Sequence, residues 1–181
     1  MKRPVQPFGN EVVQLRLIAE ADLGMTLGWR NGDDVRTWFK NSQIITTDQH
    51  RAWFAQYSAR DDDFLFVVEA RGRPVGQASV YGIDRQAGAA EVGRFLVAPE
   101  ATGRGYIGLA CAELLRFCAD VLNLKSVFLE VKENNQRAIR IYARSGFREE
   151  ARADGMIRMS CPLNRELSRS AYAGDASAFG R

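Results

Sequence analysis

Glu91-Val-Gly-Arg-Phe-Leu-Val97, then Ala101-Thr-Gly-Arg-Gly-Tyr-Ile-Gly108 and, after a long apolar run, Ser126-Val-Phe-Leu-Glu-Val131 together decide the fold. The first piece reads as a buried strand that Pro99 stops. Ile107, Ala110, Cys111, Leu114, Leu115, Cys118 and Leu122 then recur at intervals of three and four, the spacing of a helix. The order is therefore strand, glycine loop, helix, strand. Glycines at a strand-to-helix junction let the main chain approach a ligand closely, and a helix start offers unpaired N–H groups and a positive dipole end. Together these make an anion site, although Gly103 and Gly105 would equally serve a tight turn.

The continuation is Asn134-Asn-Gln-Arg-Ala-Ile-Arg-Ile-Tyr-Ala-Arg-Ser-Gly-Phe147. With it the chain resembles the GNAT superfamily of N-acetyltransferases, whose recurrent ending is an Asn, then Ala-Ile, then a Tyr in a short helix closed by Gly-Phe. Here those are Asn135, Ala138, Ile139, Tyr142, Gly146 and Phe147, and the resemblance covers residues 12–163. It implies an α+β (mixed α/β) fold: a central mixed, mostly antiparallel sheet of about seven strands with helices on both faces. The sheet would split between the two middle parallel strands, those matching Glu91–Val97 and Ser126–Val131. The resemblance also implies acetyl-CoA as cosubstrate. Its pantetheine arm would run along Phe95, Leu96 and Val97 and touch Asn135, with its pyrophosphate on the loop of Thr102, Gly103, Arg104, Gly105, Tyr106, Ile107 and Gly108. That loop departs from the superfamily pattern, since Thr102 stands where Gln or Arg is usual and Ile107 where Gly or Ala is usual.

Acyl transfer to an amine needs a neutral amine, a stabilised oxyanion and a proton for the departing thiolate. By the resemblance Tyr142 lies beside the thioester sulfur, where a phenol can act as general acid. Glu91, at the start of the donor strand, is the first candidate base, acting through water, and a strand-end salt bridge is its structural alternative. Glu130 is the second candidate. His50, the single histidine, has an ordinary pKa near 6.5 that suits proton abstraction or substrate binding.

The acceptor side is read from Leu27-Gly-Trp-Arg-Asn31, Val35-Arg-Thr-Trp38 and His50-Arg-Ala-Trp-Phe54. These resemble acetyltransferases acting on nucleotide-linked 4-amino sugars in pseudaminic acid and flagellar-glycan pathways, and more distantly the ribosomal-protein N-terminal acetyltransferases. Trp29 and Trp53 could stack on a base or sugar while Arg30 and Arg36 hold a diphosphate, with Asn31 and His50 beside them. The same tryptophans could instead pack in the core. Other readings keep the fold and change the chemistry: a protein N-terminus as acceptor, aminoacyl-tRNA as donor, or a nucleotide-binding regulator without catalysis. Arg137, Arg140, Arg144 and Arg148 motivate the tRNA version.

A chain of 181 residues, 46% hydrophobic and 26% charged, suits one domain with its own core. The net charge of +3 is spread among acids, which fits an anionic nucleotide without implying nucleic acid. Cys111, Cys118 and Cys161 lack metal-ligand spacing and read as buried small hydrophobes of a reducing compartment, so no metal is expected. A flexible tail over 1–11, one domain over 12–163 and a loosely held polar tail over 164–181 complete the organisation. Strands are expected at Val12–Ile18, Phe64–Ala70, Val75–Tyr81, from Ala90 and at Met156–Leu163, and helices from Glu20, over 33–39 and over 48–60. With no apolar leader and no membrane-length run, a cytoplasmic location is expected; the partners expected are a small-molecule amine and, at most, a second copy in a homodimer.

Overall fold

The computed structural model describes residues 2–163. Its first strand is the short Phe8–Gly9 (β1), antiparallel to Val13–Leu17 (β2). Helices Leu23–Asn31 (α1), Asp33–Arg36 (α2) and Thr47–Ala59 (α3) follow, then the hairpin Asp63–Ala70 (β3) and Arg73–Asp84 (β4). Ala89–Val97 (β5), Tyr106–Arg116 (α4), Ser126–Lys132 (β6) and Gln136–Arg144 (α5) form the middle, and Arg148–Ala153 (β7) with Met156–Pro162 (β8) ends it. All eight strands form one sheet in the order β1-β2-β3-β4-β5-β6-β8-β7, antiparallel throughout except between β5 and β6. The mixed α/β class implied by the resemblance is what is found, with eight strands instead of about seven.

Local chemistry explains the main elements. Arg71 and Gly72, with φ of 53° and 71°, make the turn between β3 and β4, and two positive φ values match the twist of a hairpin. Thr46 caps α3: its hydroxyl accepts from the Gln49 N–H at 3.2 Å while the Gln49 side chain accepts from the Thr46 N–H at 2.8 Å. Alternation along β3 sends Phe64 and Phe66 into the main core with α4, and Leu65 and Val67 into a second cluster with Tyr57, Trp53 and Phe54 of α3. Helices thus cover both faces. The long helix continues past α4 as a π turn over Phe117–Val121, where the Leu122 N–H donates to the Phe117 carbonyl at 3.1 Å.

Residues 2–10 depart from the expected loose tail. Phe8 stacks on Phe117 at 4.9 Å and meets Phe66 edge-on at 5.1 Å, the Arg3 N–H donates to Asp61 at 3.1 Å, and the Lys2 ammonium lies 3.6 Å from the centre of the Tyr57 ring. A two-residue strand with one aromatic carries no periodicity, which is why it reads as tail. Strand β7 was missed for a related reason: all six of its residues are exposed, so no apolar alternation marks it. The helix expected over 33–39 is one turn, Asp33–Arg36. The tail expected over 164–181 lies outside the described residues. Among the described residues no helix is long and apolar enough to cross a membrane.

Replacing Phe8 by Ala is expected to lower the unfolding free energy by about 2 kcal/mol, through lost burial and ring contacts. Urea denaturation measures this, and an unchanged midpoint would mean that the N-terminal segment does not contribute to the core.

Candidate active site

Strand β5 pairs with β6 at only three positions, Ala89↔Ser126, Ala90↔Val127 and Glu91↔Phe128. Beyond them β6 keeps its ladder to β8 as far as Lys132, while that edge of β5 runs on to Val97 without a strand beside it. The sheet opens there, between the two middle parallel strands. Just past the opening β5 carries a bulge: Gln77↔Leu96 and Ser79↔Gly93 place an extra residue on β5, and Arg94 has φ of 52°.

A groove of about 2590 Å³ extends from the split to the start of α4, well above the roughly 300–1,000 Å³ of a drug-sized pocket. Residues 95–97 and 102–108 line it together with Asn135 and Tyr142, so every residue expected for the donor meets in one groove. Gly105, with φ of 76°, is the residue preceding α4, a left-handed position that side chains resist, and no side chain caps the helix. The Gly105 carbonyl accepts from Gly108 and Leu109 at 3.1 and 3.3 Å, which leaves the N–H groups of Tyr106 and Ile107 outside the helical ladder. Arg104, Arg137, Arg144 and Arg148 also line the groove, which places three of the four arginines that suggested tRNA along it. Asn135 caps α5, accepting from the Ala138 N–H at 3.1 Å, while also lining the groove.

Tyr142 packs between Phe95, ring centres 5.5 Å apart, and Phe147, 6.0 Å away. Burial pushes its phenol well above the ordinary tyrosine range, and the nearby Cys111 and Tyr81 groups push the same way. The hydroxyl therefore holds its proton at neutral pH, and among the described residues it has no hydrogen-bond partner. The thiol of Cys111 is itself pushed up to about 12 by burial, which fits a packing role for that cysteine.

Glu91 lies on the sheet face covered by α3. The Tyr81 hydroxyl donates to its carboxylate at 2.8 Å, so its partner is a phenol and not the cation of the strand-end salt bridge weighed as the alternative to a base role. Arg94 joins this group, its guanidinium 4.2 Å from the centre of the Tyr81 ring and hydrogen-bonded to the buried Asp63. Sequence reading missed Tyr81, Arg94 and Asp63, since only strand register brings them together. Glu130 is engaged by Lys40 in an ion pair.

The five residues expected to bind the acceptor separate into groups, and none lines the groove. Trp29 is 8% exposed and belongs to the core, the alternative weighed for it. Asn31 pairs both ends of its amide with the Ile45 backbone, at 2.8 and 2.9 Å, and so closes a loop instead of facing a ligand. Arg30 stacks over Phe39 at 4.1 Å and donates to the Asn41 carbonyl, while its Nη1 is buried without a partner among the described residues. His50 and Trp53 stack on each other at 5.2 Å on α3, with the His50 Nε2 3.3 Å from the Thr26 hydroxyl.

Burial holds His50 below its ordinary 6.5. As pH falls through that value the unfolded chain takes up the proton first, so the stability held above it is lost on acidification. Between pH 7 and pH 5 the parent chain is expected to lose more stability in urea unfolding than His50→Gln, and an equal loss in both would contradict a buried neutral imidazole.

Comparison with known proteins places this geometry. The acetyltransferase (GNAT) domain family matches residues 13–148. The spermidine N(1)-acetyltransferase of Escherichia coli K12 is 33% identical over 142 residues, covering 76% of this chain and 74% of that protein. That of Vibrio cholerae is 24% identical over 142 residues, covering 78% and 82%. Among solved structures, Vibrio cholerae spermidine N-acetyltransferase in complex with CoA and spermine superimposes with a TM-score of 0.79 at 22% identity, over 87% of this chain and 99% of that one. Mycobacterium smegmatis RimJ in complex with CoA-disulfide gives 0.77 at 23% identity, over 92% and 90%. At these identities the structures speak to the fold alone. None of these relatives is named as an amino-sugar enzyme, so that branch has no support from them. With its family shown over most of its length, the chain belongs to the GNAT acetyltransferases and is an N-acyltransferase of that family.

Proposed function

We propose that the protein moves an acetyl group from acetyl-CoA to a primary amine of a small molecule. The observation that carries this reading is the open edge of β5 beyond Glu91, with the Tyr142 phenol packed beside it on Phe95. An open strand edge offers alternating N–H and C=O groups to an extended ligand, which suits a pantetheine arm. The uncapped first turn of α4, in a groove that Arg104, Arg137 and Arg144 also line, suits a diphosphate. The CoA-bound relatives lend support.

In this reading Glu91, through water, accepts a proton from the substrate ammonium. The freed amine nitrogen attacks the thioester carbonyl carbon; a C–N bond forms and the C–S bond breaks. The sulfur leaves as a thiolate and takes the proton of Tyr142, whose phenol is restored through water from the proton shed by the new amide nitrogen. Burial keeps this proton on Tyr142 at neutral pH but also makes the phenol a weaker acid, so in this reading the transfer depends on the hydroxyl being held beside the sulfur as charge develops there.

For the acceptor, a polyamine is the first reading, resting on the 33% identity to an enzyme named for spermidine. A second keeps a nucleotide-linked 4-amino sugar: the Nη1 of Arg30 has no partner among the described residues, and an anionic group would reach it only if the segment around Phe39 and Asn41 moved aside. Thiol release from acetyl-CoA in the presence of spermidine or of such a sugar nucleotide separates them. Saturable turnover with one assigns the acceptor class, and turnover with neither contradicts both. With the active acceptor, Tyr142→Phe is expected to lower kcat at least about tenfold with little change in donor affinity, and a smaller loss removes Tyr142 from proton transfer.

A further inference from the structure

Asp63, Gln77 and Ser79 are among the few polar side chains buried in the described residues, and all three converge on two residues of β5. The Ser79 hydroxyl donates to the Gly93 carbonyl at 3.0 Å, and the Gln77 amide donates to the Arg94 carbonyl at 3.2 Å. The Asp63 carboxylate accepts from Arg94 Nη1 at 2.8 and 3.0 Å. Burying polar groups is unfavourable unless each is paired, and here the pairing is concentrated on one bulge.

That bulge holds Arg94 at φ of 52°, a conformation a residue with a side chain keeps only when its surroundings impose it. Asp63, Tyr81 and Glu91 stand directly opposite one another on β3, β4 and β5. Arg94 reaches back over this row, gripping Asp63 and covering the Tyr81 ring, while the Tyr81 hydroxyl holds Glu91. A Cβ at 93 would lie 2.8 Å from the Tyr81 hydroxyl oxygen, so a larger residue there would have to push that phenol aside. The clamp thus sits where β5 parts from β6, between Glu91 on one side and the groove-lining residues 95–97 on the other.

We propose that Asp63 is a positioning residue for acetyl transfer: through Arg94 it fixes the bulge at the mouth of the split. It thereby sets the line along which an amine beside Glu91 meets a thioester lying against residues 95–97. Asp63 touches neither reactant, and its effect passes through the Arg94 guanidinium. The proposal rests on the acetyl-transfer reading above.

The test compares Asp63→Asn, Arg94→Lys and the double variant with the parent, measuring steady-state turnover and calorimetric binding of acetyl-CoA. Each single variant is expected to lose about tenfold or more in kcat, as small misplacements of reactants do, with the acetyl-CoA Kd within about threefold of the parent. The double variant should fall no further than the worse single one, because both changes break the same contact. Folded Asp63→Asn with parental kcat, a loss confined to donor binding, or losses that multiply in the double variant would overturn the proposal. If Asp63→Asn does not fold, Arg94→Lys decides, since that side chain is 29% exposed and its replacement keeps the charge; parental kcat there overturns the proposal. A parent chain that neither binds acetyl-CoA nor releases thiol defeats the acetyl-transfer reading and this proposal with it, a result distinct from failure of the clamp alone.

Discussion

The parting of β5 from β6 after three residue pairs is the constraint on which the rest of this molecule depends. A main-chain group left unpaired and kept from water costs on the order of 1–3 kcal/mol, so a sheet does not open at its centre without an outlet for the freed groups. Here the groove is that outlet, open to water or to a ligand. Neither side of the split is free to close. On one side β6 is fully paired with β8, and on the other β5 is bent by its bulge, while Tyr142 packs on Phe95 above a buried Phe147.

The two faces of the sheet divide the work around this opening. The α4 and α5 face supplies the groove, with a helix start that no side chain caps and arginines along it. The α3 face supplies a row of polar side chains ending at Glu91, with the Trp53 ring 6.0 Å from the Arg94 guanidinium that covers the row. The segment after α1 adds a lip: Asn31 fastens Ile45, Lys132 donates to the Thr37 carbonyl at 2.7 Å, and Lys40 pairs with Glu130. Trp38, 46% exposed on that lip, also borders the groove.

The residues expected to hold the donor could be read together from the sequence because their pattern is local. A buried strand, a glycine loop and an apolar helix face are each written within a few residues, and Asn135 to Phe147 lies in one segment; residues 95–97, 102–108, Asn135 and Tyr142 all line the one groove. The acceptor half depends on register and loop closure, which no local pattern encodes. Trp29 reads the same whether it faces core or ligand, and Asn31 gives no sign of its pairing with Ile45, fourteen residues away. Asp63, Tyr81 and Arg94 are unremarkable in sequence and become a unit only through cross-strand neighbours and one bulge. Strands β1 and β7 escaped for want of pattern, one too short and the other exposed on both faces.

The central claim is that the split and the start of α4 together form a site for acetyl-CoA. A thermal-shift titration with acetyl-CoA, with CoA and bulk tRNA as comparisons, tests it before any acceptor is known. The account predicts saturable stabilisation by acetyl-CoA and CoA, reaching about 2.7 kcal/mol at a hundred times the dissociation constant, and none that is specific to tRNA. An unfolding midpoint that no CoA compound moves would contradict it.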